Sequence, residues 1–336
     1  MAAGKLIING IPFDCWESFT VSATMSQLGN TWNFSGAVPA EFGINPGDRA
    51  TVKIEDKTVV NGLVMTVEKT ASGNGTLAVE ISGTDWAGLL NRCMISRHHT
   101  LTNKKIIDTV KELTRGLSFA GEIVPSYLPA CDAIKDTLRE FLVEPGQVIA
   151  TAIYGAALRR GLRIWSDDEG AIKIGAVNST QGAAFSLVAD VGYEGTVLES
   201  RLSRSIDNGY SSVEIIHQLE SDGDGDTPPE NIRITKKVKG FPKDLTIPFV
   251  GTMDEKGETT EHFAIEHAAE ISRSLSKYSC SVVGHGQQGT LWEIGKVCSV
   301  SDAFCNVTGL FLITGRTFKF SLIDGSTTDL EMEEIV

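Results

Sequence analysis

Short runs of alternating hydrophobic and polar residues fill the first 97 positions of the chain. In the clearest run the apolar residues are Phe19, Val21, Ala23 and Met25, the two-residue period of a strand with one buried face. Turn-forming residues separate such runs about every 8–12 positions, which is typical of an antiparallel sandwich or barrel. We predict strands at 5–8, 19–25, 32–38, 50–55, 58–60, 63–68 and 77–81.

Local signals mark the ends of several of these strands. Asn9-Gly10 and the stretch at 45–48 (Asn-Pro-Gly-Asp) are turn sequences. The pair Asn61-Gly62 predicts that a new strand, at 63–68, begins directly after it. Thr84 or Asp85 is predicted to cap one helical turn, because either side chain can accept a hydrogen bond from a free backbone N–H.

Helical periodicity replaces alternation in residues 98–192, which we predict to be a small α+β domain. Thr102 or Asn103 is placed to cap a first helix, which ends at Gly116. A second helix follows residue 146 and ends at 159–161 (Arg-Arg-Gly), where cations and glycine favour a C-terminus. Strands at 162–165 and 171–174 flank a turn at 167–170. The apolar faces are Ile106, Ile107, Val110 and Leu113, and then Val148, Ile149, Ala152, Ile153, Ala156 and Ala157.

The remaining sequence returns to strand patterns around one long helix. The apolar stretch at 246–250 contains Pro248, which cannot donate a backbone hydrogen bond. We therefore predict that this stretch lies at the edge of a sheet or outside a sheet. Thr259 or Thr260 is predicted to cap a helix that runs to Tyr278. Strands are predicted at 213–216, 232–234, 279–283, 291–300, 309–316, 317–323 and 330–336.

The predicted fold class is α+β, mainly β, with two antiparallel β-barrels of similar size. No strict repeat is visible in the letters of the sequence. The predicted domains are 1–97 for the first barrel, 98–192 for the α+β domain, 193–215 plus 259–336 for the second barrel with its long helix, and 216–258 for an inserted segment.

Composition narrows the class of protein. With 336 residues, 41% of them hydrophobic, and a mean hydropathy near zero, the chain can bury ordinary cores. No apolar run reaches the ~18 residues that span a bilayer, and no signal peptide is read at the N-terminus, so Sec export is not expected. The net charge of −13 disfavours tight binding of nucleic-acid phosphates. It permits a surface past which nucleic acid slides.

The candidate metal and thiol sites do not have the residue spacing of known site motifs. The six cysteines form no C-x-x-C pair, which indicates buried free thiols in a reducing compartment. Asp222, Asp224 and Asp226 fit the start of a calcium loop, but Thr227 and Arg233 replace its glycine and glutamate. A solvated loop is the favoured interpretation, with a weak cation site as the alternative.

Histidine and serine motifs also fail to form a recognisable site. Cys93 with His98-His99, and His262 with His267, match no common ligand spacing. Ser274 and Lys277 have S-x-x-K spacing, but the other boxes of that motif are missing. The carboxylates at 167–169 are explained by turn chemistry. We therefore predict no catalytic, metal-binding or cofactor-binding residues.

One glycine-rich stretch has two interpretations. Gly284, Gly286 and Gly289 spell G-x-G-x-x-G, the dinucleotide-binding fingerprint. That fingerprint needs a helix after it, whose N-terminus holds a pyrophosphate. Here a strand-like stretch containing Trp292 and Gly295 follows, so a hairpin loop is the favoured interpretation.

Four groups of residues, taken in order and with their spacing, carry a resemblance to a known family. They are VNGLV at 60–64 with VEISGTDWAGLL at 79–90, PGQVI at 145–149 with RGLRIWSDDEG at 160–170, the helix at 259–278, and GTLWEIGKV at 289–297 with FLITG at 311–315. Together they resemble the baseplate hub proteins of contractile-tailed phages, above all the Mu-like tail hub. The T-even hub and the N-terminal part of type VI secretion spikes are more distantly similar. The chain is somewhat short for this family, so the insertion near 205–258 is expected to be reduced.

The resemblance implies a homotrimer in which each protomer supplies two tail-tube-like barrels to a pseudo-sixfold ring. Such a ring joins the hexameric tail-tube protein above to the trimeric spike protein below, and genomic DNA passes through its lumen without specific binding. The resemblance further implies a non-enzyme without cofactors, located in the virion tail baseplate after assembly in the host cytoplasm. Structural roles, as barrel turns and anchors, are expected for Gly62, Gly83, Asp85, Trp86, Gly289, Trp292 and Gly295. Two alternatives stay open: an enzyme acting on peptidoglycan or a nucleotide, and another tail component such as a tube initiator or adhesin.

Overall fold

Strands dominate the computed structural model of the chain. It describes residues 4–13, 16–37, 43–71, 77–128, 137–175, 182–190, 197–207, 209–218, 231–253 and 258–335. The mainly β, α+β class agrees with the prediction. No closed barrel is found among these residues, so the two barrels stay a prediction. The acidic loop with Asp222, Asp224 and Asp226 lies outside the described residues.

The elements follow one another in four groups. The first contains β1 (Gly4–Ile8), β2 (Ile11–Phe13), β3 (Ser18–Thr24), β4 (Thr31–Ala37), β5 (Arg49–Ile54), β6 (Lys57–Ala71), β7 (Leu77–Asp85) and a 3-10 turn (Ala87–Asn91). The second contains β8 (His99–Lys105), α1 (Ile106–Thr114), a 3-10 turn (Ala120–Glu122), β9 (Pro125–Tyr127), β10 (Thr137–Val143), α2 (Ile149–Leu158), β11 (Arg163–Ser166) and β12 (Ile172–Gly175). The third contains β13 (Phe185–Ala189), β14 (Val197–Arg204), β15 (Ser212–Gln218), β16 (Asn231–Lys237), β17 (Pro248–Met253) and α3 (Glu258–Ser274). The last contains β18 (Ser276–Val283), β19 (Gly286–Gln287), β20 (Thr290–Leu291), β21 (Val297–Asp302), β22 (Val307–Ser321) and β23 (Gly325–Glu334).

One 13-stranded sheet joins the two ends of the chain. Its path is β14-β18-β23-β22-β3-β4-β7-β6-β5-β1-β2, and β21 and β13 are attached beside β22. The junction is the antiparallel pair of β22 and β3, which runs from Gly315 opposite Thr24 to Ser321 opposite Ser18. Apolar residues from both ends, including Phe34 of β4, lie in a single core cluster. Burial of these side chains, worth about 1.5–3 kcal/mol for each large one, therefore stabilises both ends together.

The sheet consists of two halves with the same strand order. We call β1 and β3–β7 the N-half, and β13, β14, β18 and β21–β23 the C-half. The N-half pairs as β3-β4-β7-β6-β5-β1 and the C-half as β14-β18-β23-β22-β21-β13. Each set follows the same order along the chain. The pairings are antiparallel in both halves, except that β13 is parallel to β21 whereas β1 is antiparallel to β5.

Irregularities of the backbone repeat as well. The long strand of each half has a register shift, between Val64 and Thr66 in β6 and between Ile313 and Gly315 in β22. Before the neighbouring strand, Gly47 donates its N–H to the Val64 carbonyl, and Gly295 donates to the Ile313 carbonyl. Both glycines have positive φ angles, 94° and 82°. A β-bulge is a specific feature of a fold and not a defect. The same bulge and turn in both halves therefore support their structural equivalence.

The α+β region has a core of its own. It combines buried residues of α1 and α2, such as Val110 and Ile153, with Leu28 from the β3–β4 connection and Leu90 from the 3-10 turn after β7. The predicted cap of the first helix is wrong, because Thr102 and Asn103 lie in β8. That strand pairs with β10 and so satisfies the backbone there; α1 begins only at Ile106, without a side-chain cap.

A third unit lies between β14 and β18 in the chain. β15, β16 and β17 form a separate sheet, and α3 packs on it through residues such as Ala264 and Ala268. Pro248 begins the edge strand β17, as the proline predicted. The predicted boundary at 215/216 falls inside β15. Helix α3 ends at Ser274 instead of Tyr278, because Tyr278 lies in β18 and its hydroxyl donates to the Asp302 carboxylate at 2.8 Å.

Three strand limits differ from the predictions. Asn61-Gly62 opens no new strand, because β6 is continuous and pairs with β5 and β7 through this point. The strands predicted at 309–316 and 317–323 are a single strand, β22. The strand predicted at 291–300 is divided, because a turn at Gly295 separates β20 from β21.

Candidate functional site

Two of the structural residues that the sequence indicated, Asp85 and Trp292, lie in two clusters beside the turn at 167–170. The Asp85 cluster consists of Gly29, Asn30, Asp85, Gly88 and Ser166, and the Arg316 cluster consists of Asp168, Trp292, Arg316 and Phe318. The turn belongs to the α+β region, whereas Asp85 lies in the N-half and Arg316 and Phe318 lie in the C-half. The two clusters therefore connect three parts of the molecule.

In the Asp85 cluster a fully buried carboxylate holds two backbone segments. Asp85 accepts hydrogen bonds from the N–H of Asn30 at 2.9 Å and of Gly88 at 2.7 Å. The second bond connects Asp85 to the 3-10 turn after β7, although Trp86, and neither Thr84 nor Asp85, occupies the N-cap position of that turn. The Ser166 hydroxyl accepts the Gly29 N–H at 3.0 Å, and the Asn30 amide donates to the Asp167 carbonyl at 2.8 Å. The turn at 167–170 is thus fixed to the connection between β3 and β4.

Gly62 and Gly83 lie inside strands and not in turns. A Cβ atom on Gly62 would overlap the carbonyl oxygen of Thr84, and one on Gly83 would overlap the carbonyl oxygen of Leu63 and the ring of Trp32. These glycines therefore allow β6 and β7 to approach closely, which is one of the uses of glycine in a strand.

Gly289 lies in the tight hairpin of β19 and β20. Gln288 and Gly289 both have positive φ angles, 53° and 77°, as a two-residue hairpin of this kind requires. A strand and a turn follow this loop, and the next long element is β21. The hairpin interpretation is confirmed, and the dinucleotide interpretation lacks the helix that it needs.

In the Arg316 cluster an ion pair between a buried arginine and a partly exposed aspartate crosses from the C-half to the α+β region. The Arg316 side chain has no exposed surface, and its guanidinium makes two bonds to the Asp168 carboxylate, at 2.8 and 3.2 Å. It also donates to the Trp292 carbonyl at 2.6 Å and lies 4.2 Å from the ring centre of Phe318. Such planar, two-point pairing is specific to arginine.

Two aromatic residues complete the connections. Trp292 is 1% exposed and packs on Phe185 with ring centres 4.6 Å apart. Trp86 is half-buried, stacks on Phe119, and has the Arg49 guanidinium 5.2 Å from its ring centre. Trp292 therefore lies in the core of the sheet, and Trp86 lies between the N-half and the α1 region.

No role was predicted for Arg316 or Asn30, and Asp168 was predicted only as part of a turn. A signal for Arg316 is nevertheless present, because Arg316 has the same two-residue phase as Phe318 and Phe320 in an apolar strand. A charge on a core-facing position needs a buried partner, but the sequence does not show which acid supplies it.

A cavity of 510 Å³ lies where α2, α3 and β23 meet. The Glu333 carboxylate stands between Arg163, at 2.9 Å, and Arg273, at 3.8 Å. Burial lowers the pKa of Arg273 and raises that of Tyr154, which also lines the cavity. These charges compensate one another, so the cluster joins α3 and β11 to the sheet.

Among the described residues no group of three His, Cys, Asp or Glu side chains could hold a metal ion. Burial, with the positive charge of Arg316 nearby, lowers the pKa of His285 to about 4. His285 is therefore neutral near pH 7. Cys93, Cys280, Cys298 and Cys305 are free thiols. No helix in the described ranges has both the length and the apolar character needed to cross a membrane.

Asp85 is expected to make stability depend on pH. Burial raises its pKa from 3.8 to about 7, although the hydrogen bonds from Asn30 and Gly88 oppose this shift. The folded state then binds more protons than the unfolded state between about pH 4 and 7, so this contribution to stability is lost as pH rises through 7. The effect is on the order of a few kcal/mol.

Urea unfolding of the wild-type protein and of Asp85→Asn at several pH values between 4 and 8 isolates this contribution. The free energy of unfolding of the wild type, relative to the variant, should decrease as pH rises. A difference that stays constant over this range would show that Asp85 titrates normally.

Comparisons with known proteins show a family match for one segment of the chain and a fold shared with phage tail proteins. Residues 4–85 match the family model of the Mu phage baseplate assembly protein GpP-like, N-terminal domain. A search of curated proteins found no match. Solved structures with a similar fold include a tail protein from Neisseria meningitidis, with a TM-score of 0.83 and 19% identity over 99% of this chain and 96% of that one.

Two further structures extend the comparison. The MuSo2 prophage tail protein from Shewanella oneidensis has a TM-score of 0.77 and 17% identity over 98% of this chain and 97% of that one. A type VI secretion component from Escherichia coli, described as similar to the T4 tail proteins gp27 and gp5, has a TM-score of 0.61 and 11% identity. The match covers 99% of this chain and 77% of that one. The resemblance predicted from the sequence is confirmed: residues 4–85 match the GpP-like baseplate domain, and the whole described chain has the fold of Mu-like prophage tail proteins.

Proposed function

We propose that this chain is a phage tail protein and forms the structural hub of a contractile-tail baseplate. In this role three copies form a ring with pseudo-sixfold symmetry, which joins a sixfold tail tube to a threefold spike. The location is the virion tail, and assembly takes place in the cytoplasm of the host bacterium. The function is structural, and the chain contributes no catalytic step.

The observation that carries this proposal is the repetition of one strand order in the two halves of the sheet. Three chains with two equivalent halves each present six similar units around an axis. A sixfold partner can then contact six equivalent surfaces, while the regions outside the halves keep threefold symmetry. The similar fold of Mu-like prophage tail proteins supports the assignment to a tail.

Charge is consistent with a conduit for DNA. The net charge of −13 gives the chain little tendency to hold a polyanion. Genomic DNA would therefore pass through the lumen of the ring without being retained.

Light scattering coupled to size exclusion tests the proposed ring. The expected mass is three times the chain mass of 36.1 kDa, with a central hole visible by negative-stain electron microscopy. A monomer across micromolar concentrations, or a closed particle without a hole, would contradict the hub function. Labelling of the chain on intact particles separates a hub from a tube initiator or a peripheral adhesin.

A further inference from the structure

Several strand edges of the large sheet, including those of β2 and β13, have no partner strand among the described residues, and two others are related by the repeat. One is the outer edge of β14, which pairs only with β18. The other is the edge of β6 beyond its register shift, over 66–71, which faces away from β7 and lies past the end of β5. Glu199, Arg201 and Ser203 on β14 are exposed, as are Glu68 and Thr70 on β6. Open edges of this kind pair readily with another chain.

The repeat in the sheet shows what each edge lacks. β14 occupies in the C-half the position of β3 in the N-half, and β6 is the counterpart of β22. In the chain, β3 covers the edge of β22 from Gly315, immediately after the register shift. The corresponding stretch of β6 begins at Thr66, after its own shift. The chain therefore contains the β3–β22 junction between its halves once. The counterparts of these two strands, β14 and β6, are also present, but among the described residues they have no partner at the equivalent edges.

We propose that β14 of one protomer pairs antiparallel with residues 66–71 of β6 in the next protomer, and so repeats the β3–β22 junction between chains. The occupant of each open edge is thus a second copy of this chain. This pairing rests on the proposed ring and specifies how it closes. The contact joins different surfaces head to tail, which produces either a ring or a filament; alternation with the internal junction gives the six contacts of a trimer.

The equivalent positions fix the register of this pairing. Ser22 on β3 lies opposite Thr317 on β22. Through the pairings with β18 and β23, Ser203 on β14 corresponds to Ser22. Counted from the register shift, Glu68 on β6 corresponds to Thr317. Ser203 therefore lies opposite Glu68, and Arg201 lies opposite Thr70.

The side chains in this register are complementary. Inside the chain the hydroxyls of Ser22 and Thr317 are hydrogen-bonded at 3.0 Å. Between chains the Ser203 hydroxyl donates to the Glu68 carboxylate. Arg201 is then the diagonal neighbour of Glu68 on the same face, at a distance that long side chains can bridge. A hydrogen bond and an opposite-charge pair thus replace the hydroxyl pair of the internal junction.

Disulfide trapping tests the register directly. The variant with Glu68→Cys and Ser203→Cys is oxidised with oxidised glutathione and separated on non-reducing gels. Directly opposite residues lie within disulfide distance, so covalent dimers and trimers should form in most of the protein. The matched control combines Glu68→Cys with Glu199→Cys, because Glu199 is exposed on the same strand face but four residues out of register. The two single variants measure the background from native cysteines.

The outcomes distinguish this inference from the hub function. A trimer by light scattering, with no more cross-linking at 68/203 than at 68/199, overturns the strand pairing and leaves the hub intact. A protein that stays monomeric overturns both. Preferential cross-linking at 68/203 supports both.

Charge reversal gives a second measurement that needs no cysteine. Arg201→Glu places like charges on the diagonal and should raise the concentration at which half of the trimer dissociates by about fivefold per junction. Adding Glu68→Arg should restore most of the wild-type value. Equal dissociation of the wild type and both variants would contradict the pairing.

Discussion

Replacing Arg316 with alanine should lower the free energy of unfolding by about 3–5 kcal/mol, because the change leaves the Asp168 carboxylate without its buried partner. The Arg316 side chain has no exposed surface and also binds the Trp292 carbonyl. The loss therefore affects the C-half and the α+β region together. Urea unfolding followed by tryptophan fluorescence measures the change.

Lys319 provides a control on the same strand. It pairs with Asp329, but both side chains are more than two-fifths exposed, so Lys319→Ala should cost less than about 1 kcal/mol. Replacing Arg316 and Asp168 together by Met and Leu should recover much of the loss, because an apolar pair avoids the desolvation of charge. Similar effects of Arg316→Ala and Lys319→Ala would show that the ion pair of Arg316 and Asp168 does not connect the regions.

Replacing Trp292 with alanine should cost about 3–5 kcal/mol, because the truncation leaves a cavity beside Phe185 in a close-packed core. Trp292 is 1% exposed, whereas Phe304, in the turn between β21 and β22, is 67% exposed. Phe304→Ala should therefore change stability by less than about 0.5 kcal/mol. Thermal unfolding of both variants checks the contrast. A small loss for Trp292→Ala would mean that the core relaxes around the missing ring.

Several strands could be predicted because one face of the strand is buried and the other is solvated. β3 has this two-residue alternation, and the proline at the start of β17 correctly indicated an edge strand. These are local properties, which can be seen directly in the amino-acid sequence. The glycine-rich loop at 284–289 was also interpretable, because the elements next to it decide between a hairpin and a nucleotide site.

Features set by distant residues could not be predicted in the same way. Asn61-Gly62 looks like a turn, but pairing with β7 keeps the chain extended, and Gly62 serves close packing. Thr102 and Asn103 look like caps, but β10 draws them into a strand. The pair of Asp168 and Arg316 joins residues that are far apart in sequence. The repeat of the two halves is visible in the strand pairings and not in the letters.

The unit formed by β15–β17 and α3 enters and leaves the sheet at a single point. Its flanking residues, Arg204 at the end of β14 and Ser276 at the start of β18, are directly opposite each other. The unit also has its own small core. Because loop-closure entropy grows only slowly with loop length, the insert can lengthen, shorten or be exchanged for a foreign module at little cost to the sheet. The chain could therefore acquire a new peripheral domain at this site while the large sheet stays unchanged.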